Sequence, residues 1–310
     1  EHIRELVSSC LKKKECLLSV WNTTGKKPLR IFDRQQLKLR AKSFSSSFEN
    51  KLPDCGFYFA MKSNNYPEVS RTVISQEFGL DVSSGKELSL ALSLGCEKIE
   101  FSGPGKTEEE LDLAVKNNSK ITILIDSFSE LEKLKVITKK YNTTVHCGVR
   151  ILPPDGWEKF GILLGDLKKF FKVTAGSNII LEGIQFHTSW NMNSTQQLKA
   201  LSAVSQELKT WQTDELSKIK FIDIGGGYWP EEGEWLQSSD SLHSDFSKRI
   251  WNNSIPINQF ASELSAEITK DIFPFVKCQI RFEPGRWIVN DCMHILVSVI
   301  DKKSESCVIT

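Results

Sequence analysis

From Phe57 onward, short apolar, β-branched segments alternate with stretches whose apolar residues recur at helical spacing between charges. The apolar segments fall at 57–62, 79–83, 98–102, 121–126, 145–151, 180–187, 218–225 and 279–283. The clearest helical stretches are 85–94 and 108–116. Strict β–α alternation predicts a parallel sheet, because parallel neighbours need crossover helices. About eight strands is the number that closes a (β/α)8 barrel. An open doubly wound sheet is the rival, but no GxGxxG follows the first strand. The prediction is therefore an α/β fold, a (β/α)8 TIM-type barrel over residues 51–286.

Two regions depart from this rhythm. Residues 1–50 hold a helical start, a turn at Gly25-Lys26-Lys27-Pro28, a short strand at Leu29-Arg30-Ile31-Phe32 and a basic helix. Residues 287–289 and 294–300 read as sheet. These tails predict an additional β-rich domain that is partly missing: residues 1–50 contribute to it and lead into the barrel, and 287–310 begin its C-terminal part. A sheet that short cannot bury its own face. The native polypeptide is thus expected to continue past Thr310, and the absence of an initiator Met suggests that it also begins earlier.

A barrel makes a demand on its polar residues, since βα loops build the site at the carboxyl ends of the strands. Lys62 ends the first strand, Asp81 and Ser83 the second, Ser102 and Gly103 the third, and Asp126 the fourth. Arg150 lies near the end of the fifth, His187 ends the sixth, Gly225-Gly226-Gly227 follow the seventh, and Glu283-Pro284-Gly285-Arg286 the eighth. Singly, each has an ordinary reading: a solvated lysine, a core histidine, a flexible turn, a salt bridge. Cys147 reads as a small core residue. Together they place an amine, an imidazole, an acid and a glycine nest with an arginine on one rim. Pyridoxal phosphate needs that set: an amine for its aldehyde, a flat partner for its ring, phosphate donors, and an acid beside its nitrogen.

Composition narrows the class. Lys and Arg number 40 against 39 Asp and Glu, a net charge of +1, which argues against a nucleic-acid partner. No apolar run approaches the roughly 18 residues of a membrane span, and no secretory signal opens the chain. The 8 cysteines form no CxxC pair or His-Cys cluster, so no metal site or disulfide framework is expected, and a cytoplasmic setting fits.

The sequence resembles the fold-type III pyridoxal-phosphate-dependent amino-acid decarboxylases, the diaminopimelate and ornithine decarboxylase group built on the alanine-racemase-like barrel. The motifs are Phe59-Ala60-Met61-Lys62-Ser63-Asn64, Leu80-Asp81-Val82-Ser83-Ser84-Gly85-Lys86-Glu87 and Phe101-Ser102-Gly103-Pro104-Gly105-Lys106-Thr107. They continue through Val149-Arg150, Lys159-Phe160-Gly161, Phe186-His187, Asp223-Ile224-Gly225-Gly226-Gly227 and Glu283-Pro284-Gly285-Arg286. The resemblance implies that Lys62 holds the cofactor as the internal aldimine, that His187 stacks on its ring and that Glu283 pairs with its nitrogen. It gives Gly225, Gly226, Gly227 and Arg286 the phosphate, and sets Asp81, Glu87 and Arg150 around the aldimine. Where the family has Val-Gly-Ser or Ile-Gly-Ser after the histidine, this chain has Thr188-Ser189-Trp190, so the phosphate hydroxyl is expected from Ser189. The family's C-terminal Cys-Asp and Tyr motifs do not occur here.

The function expected is decarboxylation of an amino acid, through an external aldimine and a quinonoid, by a homodimer whose active sites draw on both subunits. Two alternatives stand beside it: an amino-acid racemase on the same barrel, and a non-catalytic, decarboxylase-like regulator or pyridoxal-phosphate-binding protein. The substrate stays open among diaminopimelate, ornithine, lysine and related compounds. Trp229, Trp235 and Trp251, in the stretch 227–263, are candidate pocket residues.

Overall fold

The computed structural model describes residues 8, 11–25, 27–156, 159–232, 234–237, 249–305 and 308–310, with backbone alone for 234–237 and 249–252. The strands are β1 (Leu29–Phe32), β2 (Cys55–Ala60), β3 (Gly79–Val82), β4 (Ile99–Phe101), β5 (Ile121–Ile125), β6 (Val145–Arg150), β7 (Ile179–Gln185) and β8 (Phe221–Asp223). There follow β9 (Glu234–Gln237), β10 (Arg249–Asn252), β11 (Gln279–Phe282) and β12 (Met293–Leu296), then the two-residue strands β13 (Asp301–Lys302) and β14 (Val308–Ile309). Strands β2 to β8 pair in parallel in chain order, and β11 pairs with both β8 and β2. The result is a closed eight-stranded barrel, as the alternation predicted.

Period-2 alternation divides each strand between two environments. Leu80, Val82, Ile99, Phe101, Ile123, Ile125, Cys147, Val149, Ile184, Ile222, Ile280 and Phe282 are buried and belong to the hydrophobic core. The intervening positions face the lumen. Arg281 on β11 reaches Glu100 on β4, which is not its neighbour, so that pair crosses the lumen. Phe221 fills the lumen beside Gly148 and Gly183; a Cβ on Gly183 would lie 1.9 Å from its ring.

The helices between strands begin where the sequence supplies caps. Ser84 accepts from the amide of Glu87 to start Gly85–Ser93, and Thr107 with Glu110 forms a capping box at Glu108–Lys116. Strand β1 pairs antiparallel with β12, so the two tails meet in a two-stranded sheet. Residues 287–289 depart from the sheet expected there. Arg286–Val289 is a helical turn whose carbonyl at Gly285 accepts from Ile288 at 3.0 Å. The turn buries Trp287 against Phe44, centroids 5.6 Å apart, a packing gain that outweighs the β propensity of Trp-Ile-Val. Among the described residues no helix is long and apolar enough to cross a membrane.

Candidate active site

The strands end earlier than the apolar runs suggested, which frees the polar residues into loops. Lys62 sits in a single 3-10 turn (Met61–Ser63) just past β2. The amide of Ala60 donates to Pro284 O at 3.1 Å, drawing the loop after β11 onto this turn. A Cβ on Gly285 would lie 3.0 Å from Ser63 Oγ and 3.1 Å from Ala60 Cβ, so the closeness depends on glycine. One cleft of about 290 Å³ is thereby lined by Lys62, His187, Ser189, Gly227, Glu283 and Arg286. It lies at the carboxyl ends of the strands, where barrels build their sites. A larger cavity of about 640 Å³ lies at the opposite end, around Gly56, Tyr58 and Lys98, and gathers none of these groups.

Lys62 Nζ lies 3.5 Å from Asp81 Oδ2, and Ser102 Oγ donates to the other oxygen of Asp81. Burial pushes the Asp81 carboxyl up, and Glu283 adds to this against the pull of Lys62, leaving it at about 7. For Lys62 burial works downward, but the carboxylates of Asp81 and Glu283 outweigh it and raise the amine. The ammonium therefore persists at neutral pH beside a carboxyl able to take up or release a proton.

Glu283 is held from two sides. Gln185 Nε2 donates to its Oε1 at 3.1 Å, and His187 Nδ1 lies 3.6 Å from its Oε2. Burial would raise this carboxyl, but the bond to His187 and the charge of Lys62 outweigh it and hold Glu283 at about 2. The Gly226 amide also approaches His187 Nδ1, at 3.2 Å, so that nitrogen stands between an N–H and the Glu283 carboxylate. Burial lowers the His187 pKa despite the neighbouring glutamate, so the ring is neutral at pH 7.

The glycine loop owes its shape to having no side chains. Added Cβ atoms on Gly225, Gly226 and Gly227 would meet Phe186 O at 2.5 Å, Glu283 O at 2.1 Å and Thr188 O at 2.1 Å. Gly225 and Gly227 also have φ of +69° and +79°. Two of the three amides are already engaged, Gly225 on Asp223 Oδ1 at 2.7 Å and Gly226 on His187. The Gly227 amide has no acceptor among the described residues.

The remaining expected residues stand further out. Arg150 lies 3.7 Å from Asp126 Oδ1 and over the Phe160 ring at 4.8 Å. Glu87 does not line the cleft; its Oε2 accepts from the Ser83 amide at 2.7 Å. Trp229 does line it, while the side chains of Trp235 and Trp251 lie outside the described residues. Cys147 is buried, and burial pushes its thiol up.

Beneath the cleft lies a polar cluster of which the motifs held Asp223 and Glu283 but not Glu100 or Arg281. Glu100, Asp223 and Glu283 offer carboxylate oxygens all within 4.8 Å of one another. Arg281 pairs with Glu100 at 2.7 Å and stacks 3.6 Å over Phe221. Burial, with Glu283 and Glu100 nearby, drives the Asp223 carboxyl well above its usual range. Glu100 and Asp223 each keep one buried oxygen without a donor, the arrangement in which two carboxyls hold a proton between them. Ile99-Glu100-Phe101, Ile222-Asp223-Ile224 and Ile280-Arg281-Phe282 share one signal, a charge flanked by apolar strand residues.

An amine, a neutral imidazole, a buried anion and an arginine beside a glycine amide on one cleft meet the needs of pyridoxal phosphate. A closed parallel barrel with such a cleft defines a class of cofactor-dependent barrel enzymes. Residues 36–290 match the family described as "Pyridoxal-dependent decarboxylase, pyridoxal binding domain", and the chain belongs to it. It is 27% identical over 302 residues to the diaminopimelate decarboxylase of Bacillus methanolicus, covering 89% of this chain and 65% of that protein. It is 25% identical over 287 residues to the 2-[(L-alanin-3-ylcarbamoyl)methyl]-2-hydroxybutanedioate decarboxylase of Staphylococcus aureus, with 88% and 66% covered. The crystal structure of Helicobacter pylori diaminopimelate decarboxylase with L-lysine superposes with a TM-score of 0.74 at 20% identity, over 93% of this chain and 70% of that one. The chain spans a little under two thirds of the length of the curated relatives it matches first.

Proposed function

We propose that this chain carries the cofactor-binding barrel of an enzyme that decarboxylates an amino acid, a diamino acid or a related compound, with pyridoxal phosphate in the cleft. The observation that carries the reading is the joint lining of one cleft by Lys62, His187, Glu283 and Arg286. Bound there, the cofactor supplies an electron sink for the charge left behind as carbon dioxide departs. Lys62 would hold it by supplying the amine for its aldehyde. Asp81, at 3.5 Å, keeps the Lys62 proton close. His187, neutral, offers a flat face to the ring. Glu283 stays anionic and so favours a proton on the ring nitrogen, where it counts most as negative charge develops. Arg286, the Gly227 amide and the Ser189 hydroxyl take the phosphate, and Gly225 and Gly226 allow close backbone approach. Arg150 adds positive charge near Glu283, and Glu87 acts at one remove by fixing the Ser83 turn. An anion beside the ring nitrogen suits decarboxylation, where a racemase on this barrel uses a cation.

The same reading includes a homodimer with shared active sites in the cytoplasm. Ile295, Val299 and Ile300 leave 69%, 62% and 75% of their surface exposed, apolar positions open to cover by a second subunit or by further β structure. The test of the activity is carbon dioxide release from diaminopimelate, ornithine and lysine, with pyridoxal phosphate added. Release from at least one of them, abolished by Lys62→Ala, supports the proposal. Bound cofactor with racemised substrate and no carbon dioxide would replace it with the racemase reading.

A further inference from the structure

The loop after β7 and the glycine loop after β8 are fastened into a single unit by Asn191, which is buried. Its backbone amide donates to Gly227 O at 2.9 Å, and its carbonyl accepts from the Trp229 amide at 3.1 Å. Its Nδ2 reaches Gly226 O at 3.0 Å and Thr188 Oγ1 at 2.9 Å. Between these anchors Trp190 is held at φ +60°, with 56% of its surface exposed. A bulky residue in that conformation is strained and persists only where its surroundings impose it. A strained, half-exposed indole is not a core residue, and backbone strain of this kind gathers at functional sites.

Its neighbours show which end of the cleft it serves. The Trp190 ring stacks on Trp229, centroids 4.7 Å apart at 24°. The Arg286 guanidinium lies 4.6 Å from the Trp229 ring and 5.9 Å from that of Trp190. All three line the cleft beside Gly227 and Ser189. Trp229 is only 2% exposed, yet its Nε1–H has no acceptor among the described residues. That nitrogen has almost no accessible surface, so the indole serves as a rigid backing and not as a donor to a ligand.

We propose that Trp190 and Trp229 form a phosphate-selecting wall: the stacked pair backs the Arg286 guanidinium and fixes the plane that it presents to a phosphate. The inference rests on the cofactor reading above and names residues that make the cleft prefer a phosphorylated ligand. Stacking fixes the guanidinium plane, which matters for a two-pronged contact to phosphate.

The test measures binding, not turnover. Pyridoxal phosphate and pyridoxal are each equilibrated by dialysis with the whole chain, with Trp190→Gly and with Trp229→Leu, which removes the ring face behind Arg286. Glycine accepts φ +60° without strain, so Trp190→Gly keeps or improves the fold, which a thermal melt checks. The expected result is an affinity for pyridoxal phosphate lowered about tenfold in each variant, with pyridoxal changed by less than about twofold. Equal losses for both ligands, or no loss for the phosphate form, would overturn the wall. An unsubstituted chain that binds neither ligand would overturn the cofactor reading and this inference with it.

Discussion

Gln185 Nε2 donates to Glu283 Oε1 at 3.1 Å, inside a barrel where both side chains are buried. The two residues lie on different strand ends, 98 positions apart in the chain. Gln185→Leu leaves the Glu283 carboxylate short of a donor. The expected cost is about 1–3 kcal/mol of stability, read as a lower urea midpoint with an unchanged slope.

Arg281 and Glu100 form the lumen's own ion pair. Removing one partner, as in Glu100→Gln, strands a buried charge and is expected to cost about 3–5 kcal/mol. Replacing both, as in Glu100→Leu with Arg281→Met, should cost clearly less than the sum of the single changes. A double-mutant cycle by urea unfolding checks this, and strict additivity would contradict the pairing.

The barrel and its rim were legible because both follow from periodicity: apolar runs mark strands, and polar residues at their ends mark the βα loops. The lumen was not legible, because Glu100 and Arg281 lie in different short strands and meet only across the closed barrel. Trp287-Ile288-Val289 misled for the opposite reason, since local β propensity gave way to burial of Trp287 against Phe44. The glycine loop was found by its spacing. That two of its amides serve Asp223 and His187 is a fact of folding that spacing does not contain.

The site also predicts two opposed pH dependences of stability in the protein without added cofactor. Glu283 is depressed to about 2 from 4.5, so its contribution is present above pH 4.5 and lost as pH falls towards 2. Asp81 is raised to about 7 from 3.8, so its contribution is present below pH 3.8 and lost as pH rises through 7. Each arm is on the order of 2–4 kcal/mol. Urea titrations from pH 2.5 to 8 should show Glu283→Gln flattening the acid arm and Asp81→Asn flattening the arm that ends near neutrality.

The central claim is that Lys62 is the amine that holds the cofactor. The direct measurement is borohydride reduction of the chain with pyridoxal phosphate, followed by peptide mass mapping. The account predicts a single phosphopyridoxyl group, on Lys62, and none in a Lys62→Ala chain. Label spread over surface lysines, or concentrated on another lysine while Lys62 stays unmodified, would contradict it.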